Sequence, residues 1–347
     1  MNPINLILLI TIGITALILL SILILRKKTY EPITKSFYAL GTLINLKAIG
    51  KNAELAIEET VLKLNEIDDN MSAFKSSSDI SKINMSSGKN FQSVNEDTYS
   101  VVKSAVKYSE ILEGSFDPTI RPLVTLWNIG KSNESIPAQK EIDEKRKLVN
   151  YKDILFDDTT FSIKLSKPNQ AIDVGGIAKG FAADVVKNIF LKHKINSGII
   201  DLGGNVYALG CKDDRTDWKV GIQDPFKLRG EFMGIVTVRN KSVVTSGNYE
   251  KYFMKDGRVF HHIIDPTTGY PSESEIISAT IVSDNSIDGD GLSTGVYILG
   301  VEKSMKLIES MEGIDALFIT KDKKVFITSG LKSYFQIANK DYTYKPL

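Results

Sequence analysis

The chain is poor in cysteine and histidine and nearly balanced in charge, and each shortage removes a class of function. One cysteine, Cys211, stands among 347 residues. That excludes a disulfide within the chain and a thiolate metal cluster, and beside Gly210 it reads as a small buried residue. Lys and Arg total 43 against 42 Asp and Glu, a formal net charge of +1. No basic surface for nucleic acid is predicted. No Lys or Arg precedes Arg26, so the basic start of a cleaved signal peptide is missing. No cysteine follows the apolar N-terminus either, which excludes a lipoprotein start. Long internal repeats and low-complexity tracts are also lacking. The chain is 42% hydrophobic and 24% charged, enough for a sizeable core in one large domain or two ordinary ones.

What is present begins with an uncharged run, Leu6 to Leu25, mostly Ile and Leu. About 20 residues at ~1.5 Å each span roughly 30 Å, the thickness of a bilayer core. The expected organisation is a transmembrane anchor over 1–28, a linker over 29–36 containing Pro32, and a soluble domain over 37–347. Arg26, Lys27 and Lys28 directly follow the span. By the positive-inside rule they place the C-terminal domain in the cytoplasm.

Within the domain, helical apolar spacing marks 53–70, 96–112, 182–194, 290–299 and 304–310. Residues 71–90 read as loop with a short helix, and 131–144 as a polar exposed excursion. Strands are expected at 43–49, 198–201, 206–209, 218–222, 234–238, 243–245, 260–264 and 278–282. A closing hairpin is expected over 316–320 and 324–328. Helices and strands mix without strict alternation, which points to an α+β fold rather than a doubly wound sheet.

Residues 171–184 carry the densest chemistry. Asp173 has apolar neighbours and therefore calls for a partner. Gly175-Gly176 and Lys179-Gly180 frame the start of a helix. Backbone N–H groups at a helix N-terminus attract phosphate, and Lys179 adds a cation. The segment is neither a Walker loop nor a G-x-G-x-x-G fingerprint. It reads either as a diphosphate site or as a tight turn with a solvated lysine. Three weaker motifs accompany it. Gly114 to Thr119 contains a rigid Asp-Pro-Thr turn. Asp201 to Asn205 is a strand end with two glycines. Thr245 to Tyr249 offers two hydroxyls in a turn. His261 and His262 are adjacent on an expected strand, so they point to opposite faces and only one can enter a given site. That argues against a His-His zinc pair. Asp284 to Thr294 is acidic but lacks the Glu that ends a calcium-binding loop. If a helix starts there, Asp290 and Thr294 share one face and can offer a carboxylate and a hydroxyl to one Mg²⁺; the alternative is an N-capping Asp.

The order of these motifs, from Leu40-Gly41-Thr42 to about Gly300, resembles the FAD:protein FMN transferase (ApbE-like) family. It takes in Met71-Ser72-Ala73-Phe74, Ser78 to Asn84, Gly114 to Thr119 with Leu126-Trp127, the segment around Asp173, Asp201 to Asn205, Thr245 to Tyr249, His262 to Pro271 and Asp290 to Thr294. The resemblance implies an α+β catalytic domain with mixed, largely antiparallel sheets and flanking helices. It implies Mg²⁺-dependent transfer of FMN from FAD to a Thr or Ser of an acceptor flavoprotein, with AMP released. Carried over by position, Asp290, Thr294 and the Gly176 carbonyl would ligate Mg²⁺. Leu40, Phe74, Ser115, Phe116, Asp117, Asp173, Lys179 and Ile264 would line the FAD site, and His262 would accept the proton of the attacking hydroxyl. Phe74 stands where the family often has Tyr or Asn, and Leu40 replaces a common Met. Acceptors in the family are typically membrane redox-complex subunits or extracytoplasmic flavoproteins, so the resemblance implies an extracytoplasmic domain, against the charge pattern at 26–28. Two other readings share these residues: an FAD pyrophosphatase giving FMN and AMP, and a non-catalytic membrane-tethered flavin-binding protein.

Overall fold

The computed structural model describes residues 11–12, 14–15, 30–131 and 134–346. The membrane span expected over 6–25 lies, apart from 11–12 and 14–15, outside the described residues. Among the described residues no helix is long and apolar enough to cross a membrane.

The centre of the domain is a nine-stranded sheet. Its strands, in spatial order, are Ile33–Ala39, Thr42–Ile49, Ser197–Leu202, Asn205–Leu209, Lys241–Gly247, Ile276–Ser283, Asp315–Thr320, Lys324–Ile327 and Thr343–Tyr344. Every pairing is antiparallel except the last, between 324–327 and 343–344. The first strand begins inside the stretch expected to be linker.

Side chains alternate across this sheet, as strand geometry requires. In 315–320, Ala316 and Phe318 join the core on one face, and Leu317 and Ile319 join the core on the other. The strand 276–283 is buried at every position, which explains its unbroken run of small and apolar residues. Helices Ala53–Met71, Glu96–Ile111, Ala178–Lys192, Ser286–Leu299 and Val301–Glu309 contribute to the first core. A three-stranded sheet of Trp218–Gln223, Phe232–Val238 and Phe335–Ile337 contributes to the second.

A third, smaller core forms around Leu123, Trp127, Ile142, Phe260 and Ile264. It joins helices Arg121–Trp127 and Gln139–Arg146 to the hairpin Tyr252–Lys255/Arg258–His261. Trp127 stacks on Phe260 with centroids 5.7 Å apart, and its indole N–H donates to the Gly269 carbonyl at 2.8 Å. The expected exposed excursion over 131–144 is thus half right. Its charged residues face water, but Ile142 is fully buried and anchors a helix there.

The α+β architecture is as expected. The differences lie at element boundaries: the strand expected over 260–264 runs Arg258–His261 and leaves His262 in a bend beyond it. The helix after Gly176 begins at Ala178, so Lys179 and Gly180 belong to its first turn. The helix bearing Asp290 begins at Ser286, through two glycines that would ordinarily weaken it. Those glycines are needed for packing. A Cβ on Gly291 would meet the Tyr108 ring at 2.5 Å, and one on Gly289 would meet Val244 at 2.8 Å.

Candidate active site

The site is built where helices 178–192 and 286–299 cross. Gly180 permits the crossing: a Cβ there would lie 2.5 Å from the Ser286 carbonyl oxygen and 2.7 Å from Asp290 Cβ. Asp184, one turn further on, accepts the Ser286 and Ile287 N–H groups at 3.0 and 2.9 Å. It thereby caps the second helix from outside. Locked this way, Asp290 reaches the N-terminus of the first helix. Its Oδ2 accepts the Gly180 N–H at 2.8 Å, and its Oδ1 lies 3.4 Å from the Lys179 ammonium. Asp290 is 4% exposed, so this carboxylate is held in a largely dry setting next to a cation and a helix N-terminus. Lys179 also donates to the Gly175 carbonyl at 3.0 Å.

Asp290 and Thr294 do occupy one helix, one turn apart. The N-capping alternative falls, since Asp290 lies in the second turn. Thr294 pairs with Ser246 at 3.2 Å, and Ser246 also pairs with Ser293 at 2.8 Å. The Thr245 to Tyr249 motif is therefore continuous with the helix face.

Asp173 has the partner that its apolar setting calls for. Arg121 donates to it at 2.9 Å and also donates to the Ala73 carbonyl. Asp173 accepts the Gly175 N–H at 2.8 Å as well. Phe74 does not pack in a core. It is 73% exposed, with Arg121 4.8 Å and Lys131 5.0 Å from its ring centroid. Phe116 is buried beneath the glycine turn, and a Cβ on Gly176 would press on its ring at 3.0 Å.

Other expected lining residues face inward. Ser115 donates to the carbonyls of Leu112 and Gly295 at 2.8 and 3.2 Å. Asp117 accepts from the Thr119 N–H and hydroxyl and from the Tyr151 N–H, at 2.6–2.9 Å. Burial pushes its carboxyl above the ordinary range, and those hydrogen bonds oppose the rise. Ile264 packs in the small core and Leu40 against the main one, at a turn with φ of 52°. The side chains of Ser115 and Asp117 thus support the cleft wall from behind.

The two adjacent histidines diverge as expected. His261 is buried: its Nε2 meets the Ser272 carbonyl at 2.9 Å, and its Nδ1 accepts the Ile263 N–H at 3.3 Å. His262 is exposed just beyond the end of the strand Arg258–His261, in a neighbourhood that desolvates it. Desolvation by that neighbourhood pushes its pKa down to about 4; the Lys251 carbonyl opposes the shift, while Lys251, His261 and Lys179 add to it. His262 Nδ1 lies 3.2 Å from the Lys251 carbonyl. A carbonyl only accepts, so Nδ1 carries the hydrogen and Nε2 keeps a free lone pair.

Sequence reasoning missed Arg121, Ser246 as the neighbour of Thr294, and Asp184 as a cap. The one signal for Arg121 was the demand that Asp173 have a partner. Nothing local pointed 52 positions back along the chain.

A sheet flanked by helices, two of which bring a carboxylate, a hydroxyl and a lysine together, defines an α+β protein with a charged polar site. The chain belongs to the ApbE family, whose sequence model matches residues 40–318. It is 33% identical over 303 residues to an FAD:protein FMN transferase of Klebsiella pneumoniae, covering 87% of this chain and 94% of that one. It is 34% identical over 309 residues to an FAD:protein FMN transferase of Treponema pallidum, covering 84% and 85%. The crystal structure of an ApbE protein from Thermotoga maritima superposes with a TM-score of 0.81 at 30% identity, over 88% of this chain and 99% of that one. The flavin transferase ApbE from Vibrio cholerae gives 0.79 at 27% identity, over the same shares.

Proposed function

We propose that this chain is a Mg²⁺-dependent FAD:protein FMN transferase that moves FMN onto a Thr or Ser hydroxyl of an acceptor flavoprotein and releases AMP. The observation that carries the reading is the meeting of Asp290 with Lys179 and the Gly180 N–H at the start of helix 178–192, with Thr294 one turn along from Asp290. The alignment with two transferases over more than four-fifths of the chain supports it.

The donor set fits Mg²⁺. Asp290 carboxylate, Thr294 hydroxyl and Gly176 carbonyl are hard oxygens. Among the described residues no group of three or more His, Cys, Asp or Glu is placed to hold a metal. One carboxylate with few protein partners suits an ion that shares its coordination with substrate phosphate oxygens. When bound, Mg²⁺ supplies Lewis-acid stabilisation of charge on the diphosphate.

The chain's own residues do the rest. Lys179 binds the diphosphate and offsets its charge as AMP departs. Phe74 offers an open aromatic face to a ring of FAD. His262 Nε2 takes the proton from the acceptor hydroxyl. The hydroxyl oxygen then bonds to the FMN phosphorus, and the bond from that phosphorus to the bridging oxygen breaks. AMP carries that oxygen away.

The apolar run 6–25 supports a single-pass anchor in the cell membrane for the domain over 37–347, joined by the short segment 29–36. We place the domain outside the cytoplasm, where a membrane redox-complex subunit would be the acceptor. Incubating the purified protein with FAD, Mg²⁺ and an acceptor flavoprotein tests the reading. Mass spectrometry is expected to find FMN covalently on the acceptor, and none with Asp290→Ala. Free FMN and AMP without an adduct would instead identify a pyrophosphatase, and tight FAD binding without turnover a flavin carrier.

A further inference from the structure

Arg121 is where three separate segments of the cleft meet. Its Nη1 donates to Asp173 Oδ2 at 2.9 Å, and its Nη2 to the Ala73 carbonyl at 2.5 Å. Its Cζ lies 4.8 Å from the Phe74 ring centroid, within cation–π range. Asp173 is fixed in turn: it accepts the Gly175 N–H, and its own N–H donates to the Pro118 carbonyl, each at 2.8 Å. The ion pair is shielded, with side chains 17% and 23% exposed. Phe74 is the opposite case, an apolar ring on a turn-rich loop left open to water. Such a ring has little reason to hold one orientation unless something grips it. A guanidinium is suited to that task. It can donate in its plane to a carboxylate and a carbonyl while its face meets a ring, which an ammonium cannot do at once.

Resting on the transferase reading above, we propose that Arg121 is a positioning residue for FAD. It ties the Phe74 ring to Asp173, and so to the glycine turn that leads into Lys179, and presents that ring as a platform for an aromatic ring of the dinucleotide. Arg121 touches no reacting atom. Its effect falls on FAD binding and acts through Phe74.

The test is steady-state kinetics of the full-length protein with FAD varied and acceptor protein saturating. Arg121→Ala is expected to raise KM for FAD about tenfold and to leave kcat at saturating FAD within about twofold. Phe74→Ala should raise KM by a similar factor, and the double variant by no more than the larger single effect, because one residue works through the other. Arg121→Lys should recover part of the loss and serves if the alanine variant does not fold. A fall in kcat at unchanged KM, or effects that multiply in the double variant, would overturn the proposal. FAD titrations by flavin fluorescence separate the two readings. If the wild type binds FAD with this variant pattern but transfers nothing, the transferase reading fails and the clamp stands. If the wild type transfers FMN and Arg121→Ala keeps its KM, the clamp alone fails.

Discussion

Asp290 gives one oxygen to the Gly180 N–H at 2.8 Å and leaves the other 3.4 Å from Lys179. The first contact needs an acceptor; the second, and any cation, needs negative charge. Asp290→Asn keeps the acceptor and removes the charge. It is expected to cut transfer by about 10²–10³-fold while the thermal midpoint moves by no more than about 4 °C. Enzyme assay and a melting curve on the same sample check both. His262 makes a second prediction. With its pKa lowered to about 4, the ring is neutral and able to accept a proton at all pH values above about 5. The acid limb of kcat/KM, which reports the free enzyme, is expected near pH 4, with no inflection near the ordinary histidine value of about 6.5. A limb at 6.5 would overturn the lowered pKa, and a limb that persists unchanged in His262→Ala would remove His262 as the base. The sign for stability follows from the same shift. His261 and His262 are both lowered in the fold, so the folded chain binds fewer protons than the unfolded chain between those values. Stability is therefore lost as pH falls from about 6.5 toward 4, which urea unfolding at pH 7 and pH 5 measures.

Two helices and the contact between them decide the geometry of the site. Helix 178–192 brings Lys179 and the Gly180 N–H, and helix 286–299 brings Asp290 and Thr294. Gly180 sets their separation. Gly180→Ala places a methyl 2.5 Å from the Ser286 carbonyl oxygen, so the helices must part. We expect a loss of about 1–3 kcal/mol in stability, with activity falling further than stability because Asp290 moves with its helix. Asp184→Ala removes the two hydrogen bonds that start the second helix. It is expected to cost about 1–2 kcal/mol, read by chemical denaturation. Activity unchanged in Gly180→Ala would show that the crossing distance does not govern the site.

The whole molecule places the cleft among three cores, one on each face of the nine-stranded sheet and a small one around Trp127. The small core anchors the turn that follows His262. Trp127 binds the 262–271 turn through Gly269, and Arg146 donates to the Thr267 carbonyl at 2.8 Å. Membrane sidedness belongs to this scale too. A reporter fused after Leu347 is expected to be active outside the cytoplasm; activity inside would give Arg26, Lys27 and Lys28 the decision and overturn the placement.

Much of the site's chemistry was legible along the chain, because its strongest cues are local. A helix repeat puts Asp290 and Thr294 on one face whatever surrounds them, and the order of glycine and acid motifs identifies the family. What the sequence could not supply were partners distant along the chain. Arg121 meets Asp173 across 52 positions, Thr294 meets Ser246 across 48, and Asp290 meets Gly180 across 110. Such contacts depend on which strands pair and how closely helices approach, and no periodicity encodes either. The same limit hid the role of Gly180, whose lack of a side chain makes room for a second helix. Sequence alone determined the chemical groups and their local faces; tertiary packing decided which carboxylate meets which cation, because side chains far apart in the chain share a site only when a common core holds their elements together.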